Sequence, residues 1–234
     1  MTRRIVVTGA GRGIGLGIAK RLLADGHEVW GTARKPESAA ELVDAGAAGV
    51  LKLDIGDTES IEAFGQELTA KVDSIDTLIN NAGMTSVDLG VDRRAQGPMD
   101  TTKDVVLRQI EVNAVGPMLV TQVVRPLLGG GTDPMVLNIS SQLGSMVVGA
   151  QMPFDVGYNS SKSVMNMVTV MSATADKEVG YVALHPGWVQ SDMGGPKAAI
   201  SVEESADGIV STLNSLSLAD SGRFVKIDGE DHPW

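Results

Sequence analysis

Arg4-Ile5-Val6-Val7-Thr8-Gly9-Ala10-Gly11-Arg12-Gly13-Ile14-Gly15 decides the fold. A short β-branched run ends in a cluster of glycines, and Ile14–Ala24 then shows helical spacing up to an Asp25-Gly26 stop. A strand that runs through glycines into a helix suits a bound phosphate. The glycines let the chain turn tightly, backbone N–H groups approach the anion, and the helix offers its positive end. The usual G-x-G-x-x-G spacing fits no register. G-x-x-x-G-x-G fits twice, on Gly9, Gly13, Gly15 and on Gly11, Gly15, Gly17. The first is preferred because Gly9 directly follows the strand. Such a turn can also serve packing alone, so its position between a strand and a helix carries the argument.

Outward from this turn, strands and helices alternate to the end of the chain. The other predicted strands are Glu28–Thr32, Val50–Leu53, Ile75–Ile79, Met135–Ile139, Tyr181–Leu184 and Phe224–Ile227. The predicted helices are Glu37–Ala45, Thr58–Val72 with Thr58 or Asp57 as cap, Gly157–Lys177 and Val202–Leu213 with Ser201 as cap. Thr101–Leu128 reads as one long helix bent at Gly116-Pro117. Alternation of this kind predicts right-handed βαβ units and a single α/β domain over residues 1–234. Its core would be a Rossmann-type, doubly wound parallel sheet of about seven strands, with helices on both faces. Ligands of such sheets bind beyond the carboxyl ends of the strands. The irregular stretches 84–100, 146–157 and 190–200 all follow strands and are the expected walls of a site.

Composition narrows the function. Of 234 residues 43% are hydrophobic, enough for a large core. There is no cysteine, which excludes disulfides, thiolate metal sites and cysteine nucleophiles. The formal net charge is −10 and no basic cluster forms, so no nucleic-acid partner is expected. The adjacent pairs Arg3-Arg4 and Arg93-Arg94 read as solvated surface. No run approaches a membrane span, no apolar leader opens the chain, and a cytoplasmic site is expected. His27, His185 and His232 are scattered and read as structural, with no metal-binding spacing. A G-x-S-x-G hydrolase elbow is absent.

The second strand ends in Trp30-Gly31-Thr32-Ala33-Arg34-Lys35. An acid at this place would accept from the ribose of NAD. Here Arg34 and Lys35, with Arg12, could instead meet a 2′-phosphate, because guanidinium binds phosphate by paired hydrogen bonds. Either residue could equally be an exposed loop charge, yet together the three favour NADP(H) over NAD(H). Asp54 could accept from an adenine amino group or cap the next helix. Asn80-Asn81-Ala82-Gly83 permits close approach of a ligand or ties strand ends.

Tyr158 and Lys162 are one helical turn apart on one face. A nearby ammonium stabilises phenolate and lowers the phenol from its usual pKa near 10. The pair could then move a proton to or from a carbonyl or alcohol oxygen. Y-x-x-x-K is common by chance. Its weight here comes from Asn138-Ile139-Ser140-Ser141 upstream, where a hydroxyl could orient the same oxygen.

Taken together these motifs make the chain resemble the short-chain dehydrogenase/reductases over nearly its full length. The resemblance rests on Thr8–Gly15, Asn80–Gly83, Asn113, Ser141 and Tyr158-Asn159-Ser160-Ser161-Lys162. His185–Met193 and Asp228–Trp234 are similar to the carbonyl-reductase branch that includes C-factor and sniffer proteins. It implies that Tyr158 is the acid or base, that Lys162 binds the nicotinamide ribose and lowers the Tyr158 pKa, and that Ser141 steadies the substrate oxygen. Asn113 would hold a water in the proton relay. The serine before x-x-G is the catalytic one in the family, which selects Ser141 over Ser140. The implied cofactor seat is Gly9, Gly11, Arg12, Gly13, Ile14, Gly15, Arg34, Asp54, Ile55, Asn81, Ala82, Gly83, Tyr158 and Lys162. To these it adds Pro186, Gly187, Val189 and Ser191, the last where the family usually has threonine. The gap from Ser141 to Tyr158 is longer than in many members.

The implied activity is NADPH-dependent reduction of a small, apolar ketone or aldehyde. Met84, Met146, Met152, Phe154, Trp188 and Met193 would form an adaptable apolar rim, although some of them are expected only to pack. The alternatives are an NAD-dependent alcohol dehydrogenase and a cofactor-binding signalling or scaffold protein. A homodimer or homotetramer is the expected assembly.

Overall fold

A computed structural model describes residues 2–129 and 133–234. Its seven strands are β1 (Arg4–Val7), β2 (Glu28–Ala33), β3 (Gly49–Lys52), β4 (Thr77–Asn80), β5 (Met135–Ile139), β6 (Gly180–His185) and β7 (Phe224–Lys226). They form one parallel sheet in the order β3-β2-β1-β4-β5-β6-β7. The helices are α1 (Gly13–Ala24), α2 (Ala40–Asp44), α3 (Thr58–Thr69), α4 (Lys103–Ile110), α5 (Gly116–Val124), α6 (Val156–Ala175) and α7 (Val202–Ser215).

The strands are apolar on both sides because both sides are covered. Alternation along β1 shows it directly, since successive side chains point to opposite faces. Ile5 and Val7 join Ile18 and Leu22 of α1 and Ile209 and Leu213 of α7. Val6 joins Phe64 and Leu68 of α3 and Val120 and Val124 of α5 on the other face. Strand order reverses between β1 and β4, and the crevice beyond those two ends is the switch point where ligands of such sheets bind.

The segment 101–128 departs from the single bent helix expected. It divides into α4, a π-helical turn at Glu111–Val115, and α5, followed by a short 3-10 turn at Arg125–Leu127. Gly116 donates its N–H to Glu111, five residues back. Pro117 has no N–H to give, which leaves the carbonyls of Val112 and Asn113 one helical donor short. The turn is packed tightly there, because a Cβ on Gly116 would lie 2.1 Å from the Ile55 carbonyl. The stretch 37–45 also divides, into a 3-10 turn at Pro36–Ser38 and the short α2.

Helix ends are set by local chemistry. Asp57 caps α3, accepting from Glu59 N–H at 3.1 Å. Ser201 and Glu204 form a reciprocal capping box at α7. Replacing Ser201→Ala strands the Glu204 N–H and is expected to lower stability by about 1 kcal/mol in urea unfolding.

Candidate active site

The glycine turn after β1 is pinned from both neighbouring strands. Gly9 N–H donates to Thr32 Oγ1 at 3.2 Å, and Asn81 Nδ2 donates to the carbonyls of Thr8 (2.9 Å) and Gly9 (3.3 Å). The Thr8 hydroxyl accepts from the N–H groups of Asn81 and Ala82, both at 3.0 Å. Asn81 thus ties the ends of β1 and β4 together. Gly9 and Gly13 have φ of +65° and +54°, a region that favours glycine. The register Gly9, Gly13, Gly15 is therefore the one that shapes the turn. Gly17 has another job: a Cβ there would meet Val202 of α7 at 2.7 Å, so it permits helix packing. Gly11 shows no such φ.

This cradle fits a dinucleotide phosphate. No side chain caps α1, so its first-turn N–H groups are not taken up by a cap. A Cβ on Gly13 would meet open space, whereas one on Gly15 would strike Gly9. Backbone donors at a helix N-terminus, beside open space, are the donor set an anion needs.

The expected nucleotide-selecting residues Arg12, Arg34 and Lys35 are all exposed. Arg34, just past β2, is exposed and forms no ion pair among the described residues. Arg12 is also exposed but reaches across to Asp192 of the stretch 190–200. Asp54 does not cap α3. Its carboxylate accepts from Gly56 N–H at 3.0 Å and closes a local turn. Ile55 is buried in the core cluster behind α5.

The chemical residues converge beyond β5. Ser141 lies two residues past this strand and caps a short 3-10 turn, its hydroxyl accepting from Leu143 N–H at 3.1 Å. Ser140 is excluded from chemistry because its buried hydroxyl donates to Asn166 at 2.6 Å. Gly144 lets the turn lie on α6, since a Cβ would come within 2.7 Å of the Lys162 backbone. Tyr158 and Lys162 are both buried on α6. Lys162 Nζ donates to the Ile139 carbonyl at 2.7 Å and lies 5.8 Å from the centre of the Tyr158 ring. Burial pushes the Lys162 ammonium down to about 8.

Burial also raises the Tyr158 phenol, opposed first by the Arg93 guanidinium and then by a hydrogen bond with Ser141, while Asp155 adds to the rise. Asn113 sits in the π-helical turn. It clasps the Met84 backbone at 2.8 Å in both directions and donates to Ser161 Oγ at 3.0 Å. A Cβ on Gly83 would crowd Asn113 Oδ1 at 3.1 Å.

Pro186, Gly187, Val189 and Ser191 follow β6. The Pro186 carbonyl accepts from Ser205 Oγ at 2.7 Å and Gly187 has φ of +84°. Val189 is buried, and the Ser191 hydroxyl accepts from Gly194 N–H at 3.2 Å. Met146, Trp188 and Met193 are exposed on the expected rim, whereas Met84 packs against the core. His185 accepts from Gln142 N–H at 3.2 Å, and burial drives its pKa down to about 4.

One member of each arginine pair differs from its reading as solvated surface, while Arg94 is exposed as expected. Arg4 is forked onto Glu28 at 2.7 and 3.0 Å and bonds the Ser74 carbonyl. Arg93 Nε donates to the fully buried Asp155 at 2.7 Å, and its guanidinium lies 5.3 Å from the centre of the Tyr158 ring. The signal for Arg93 was its place in 84–100, already an expected wall, but no periodicity shows which way a loop side chain turns.

Comparison with known proteins agrees with this geometry. The family model for short chain dehydrogenases matches residues 3–200. A short-chain dehydrogenase of Neurospora crassa is 32% identical, over 98% of this chain and 97% of its own. The carbonyl reductase Sniffer of D. melanogaster superimposes with a TM-score of 0.90 at 27% identity, over all of both chains. A short-chain dehydrogenase/reductase of Burkholderia multivorans, solved with bound NADP, does so at 0.86 and 27%, again over all of both chains. With the family model spanning most of its length, and with this sheet and glycine turn, the chain belongs to the short-chain dehydrogenase family.

Proposed function

We propose that this protein reduces a small ketone or aldehyde to an alcohol with NADPH. What carries the reading is the meeting of Ser141, Tyr158 and Lys162 at the carboxyl edge of the sheet that also bears the glycine turn. The turn, with Asn81 behind it, would hold the dinucleotide phosphates, and Lys162 the nicotinamide ribose. When bound, NADPH supplies the hydride for the carbonyl carbon. Tyr158 is the proton donor to the oxygen. Its burial keeps the phenol protonated at neutral pH, ready to give its proton as charge develops. Ser141 orients the same oxygen, and the Ser141 bond favours the phenolate left behind. The backbone carbonyl of Asn113, inside the π-helical turn and short of a helical donor beside Pro117, is suited to anchor a water that returns a proton to Tyr158. Exposed Met146, Trp188 and Met193 give the mouth an apolar rim that adapts to shape.

Arg34 supports NADPH over NADH, as does the NADP held by the Burkholderia structure. Replacing Arg34→Glu is expected to weaken NADPH binding roughly ten- to a hundredfold and leave NADH binding within about threefold. Titration of both cofactors checks it. Tighter binding of NADH by the unaltered protein would overturn the cofactor assignment. The activity itself is tested by NADPH consumption with a set of small ketones, aldehydes and quinones. No consumption with any of them would sink the reductase reading.

A further inference from the structure

We infer that Arg93, held by the buried carboxylate of Asp155, is a positioning residue for the proton donor: it fixes both the place and the charge environment of the Tyr158 phenol. The inference rests on the reading of Tyr158 as that donor. Asp155 is the residue immediately before α6, the helix that carries Tyr158. An aspartate there ordinarily turns its carboxylate onto the first-turn N–H groups. Asp155 does not cap the helix. It takes Arg93 Nε on one oxygen at 2.7 Å and Gln109 Nε2 on the other at 2.9 Å.

Asp155 is also the non-glycine residue with positive φ, at +49°, among the described residues. Such a conformation persists only where surroundings over-determine it. Here they do. Asp155 N–H bonds the Arg93 carbonyl at 3.1 Å and Val156 N–H bonds the Gln96 carbonyl at 2.9 Å. The loop bearing Arg93 is thereby stitched to the start of the catalytic helix.

The result is a phenol ring with two cations close by. Arg93 stands 5.3 Å from the ring centre and Lys162 Nζ 5.8 Å, with Phe154 also under the guanidinium at 5.7 Å. Asp155 is the one anion facing the ring in this cluster, and Arg93 outweighs it there. A cation at this range favours phenolate, so the guanidinium would ease proton release without touching substrate.

The experiment reads the phenol directly. The chain has two tyrosines, and Tyr181, bonded to Asp176 at 2.8 Å, lies outside the site. Tyr181→Phe leaves Tyr158 as the sole tyrosine, whose ionisation is followed by ultraviolet absorbance with NADP+ bound. Adding Arg93→Gln is expected to raise the midpoint by about one pH unit. Arg93→Lys, which keeps the charge, is expected to restore most of it.

Arg93→Gln leaves Asp155 buried without a cation and could fail to fold. The double change Arg93→Gln/Asp155→Asn removes both charges, and asparagine tolerates positive φ. It is expected to raise the midpoint too. Reduction of 9,10-phenanthrenequinone by NADPH is followed alongside. An unmoved midpoint in an active enzyme would overturn the inference alone. A wild type that reduces neither this probe nor any carbonyl of the panel would overturn the functional reading, and the inference with it.

Discussion

Tyr158→Phe is expected to lower kcat for carbonyl reduction roughly a thousandfold while NADPH binding changes less than about threefold. The ring is buried on α6 and stays the same size, so packing survives. What disappears is one hydroxyl and the proton it holds. Lys162 keeps its own anchor, since Nζ bonds the Ile139 carbonyl and not the phenol. Steady-state kinetics with NADPH, beside a fluorescence titration of cofactor binding, separate the two effects. A loss under tenfold would mean that solvent or another side chain delivers the proton. The same variant tests the scaffold alternative: a biological role that survives without turnover would point to binding.

Gly15→Ala is expected to weaken NADPH binding at least about a hundredfold and to cost about 1–3 kcal/mol of stability. The added Cβ would sit 2.3 Å from the Gly9 carbonyl oxygen and 2.4 Å from Asn81 Nδ2. Neither can give way cheaply. Gly9 is held by Thr32 and carries a left-handed φ, and Asn81 is bonded to two carbonyls of the turn. The turn must open, and the first-turn N–H groups of α1 move with it. Gly13→Ala is the control: its Cβ meets open space, so only the φ of +54° opposes it, for about 1–2 kcal/mol. Thermal unfolding and NADPH titration read both. Wild-type affinity in Gly15→Ala would show that the cofactor sits elsewhere.

The fold was legible because its causes are short-range or periodic. A strand buried on both faces must be apolar throughout, and seven such runs separated by helical spacing leave one economical architecture. Tyr158 and Lys162 share a helix face by spacing alone. The glycine turn was legible to within two registers, and the choice between them needed φ values and the packing of Gly17 against α7. The π-helical turn at 111–115 was read as a bend at Gly116-Pro117. The proline was visible, but the close packing of Gly116 on Ile55 that accompanies the turn was not.

Loop side chains lay beyond the sequence altogether. Arg93 and Asp155 are 62 residues apart, and Arg12 and Asp192 are 180 apart. Nothing in either neighbourhood announces the other, because a loop's course is set by what the core beneath it leaves open and by which polar groups must be paired. From Arg4 to Gly15, and from Tyr158 to Lys162, residue order alone determined a glycine turn between a strand and a helix, and a phenol and an ammonium on one helix face. The tertiary structure decided which cations face the phenol, that Asp155 holds an arginine in place of capping its helix, and that Arg12 pairs with Asp192. Those choices depend on burial and long-range pairing, which act only once the chain has closed on itself.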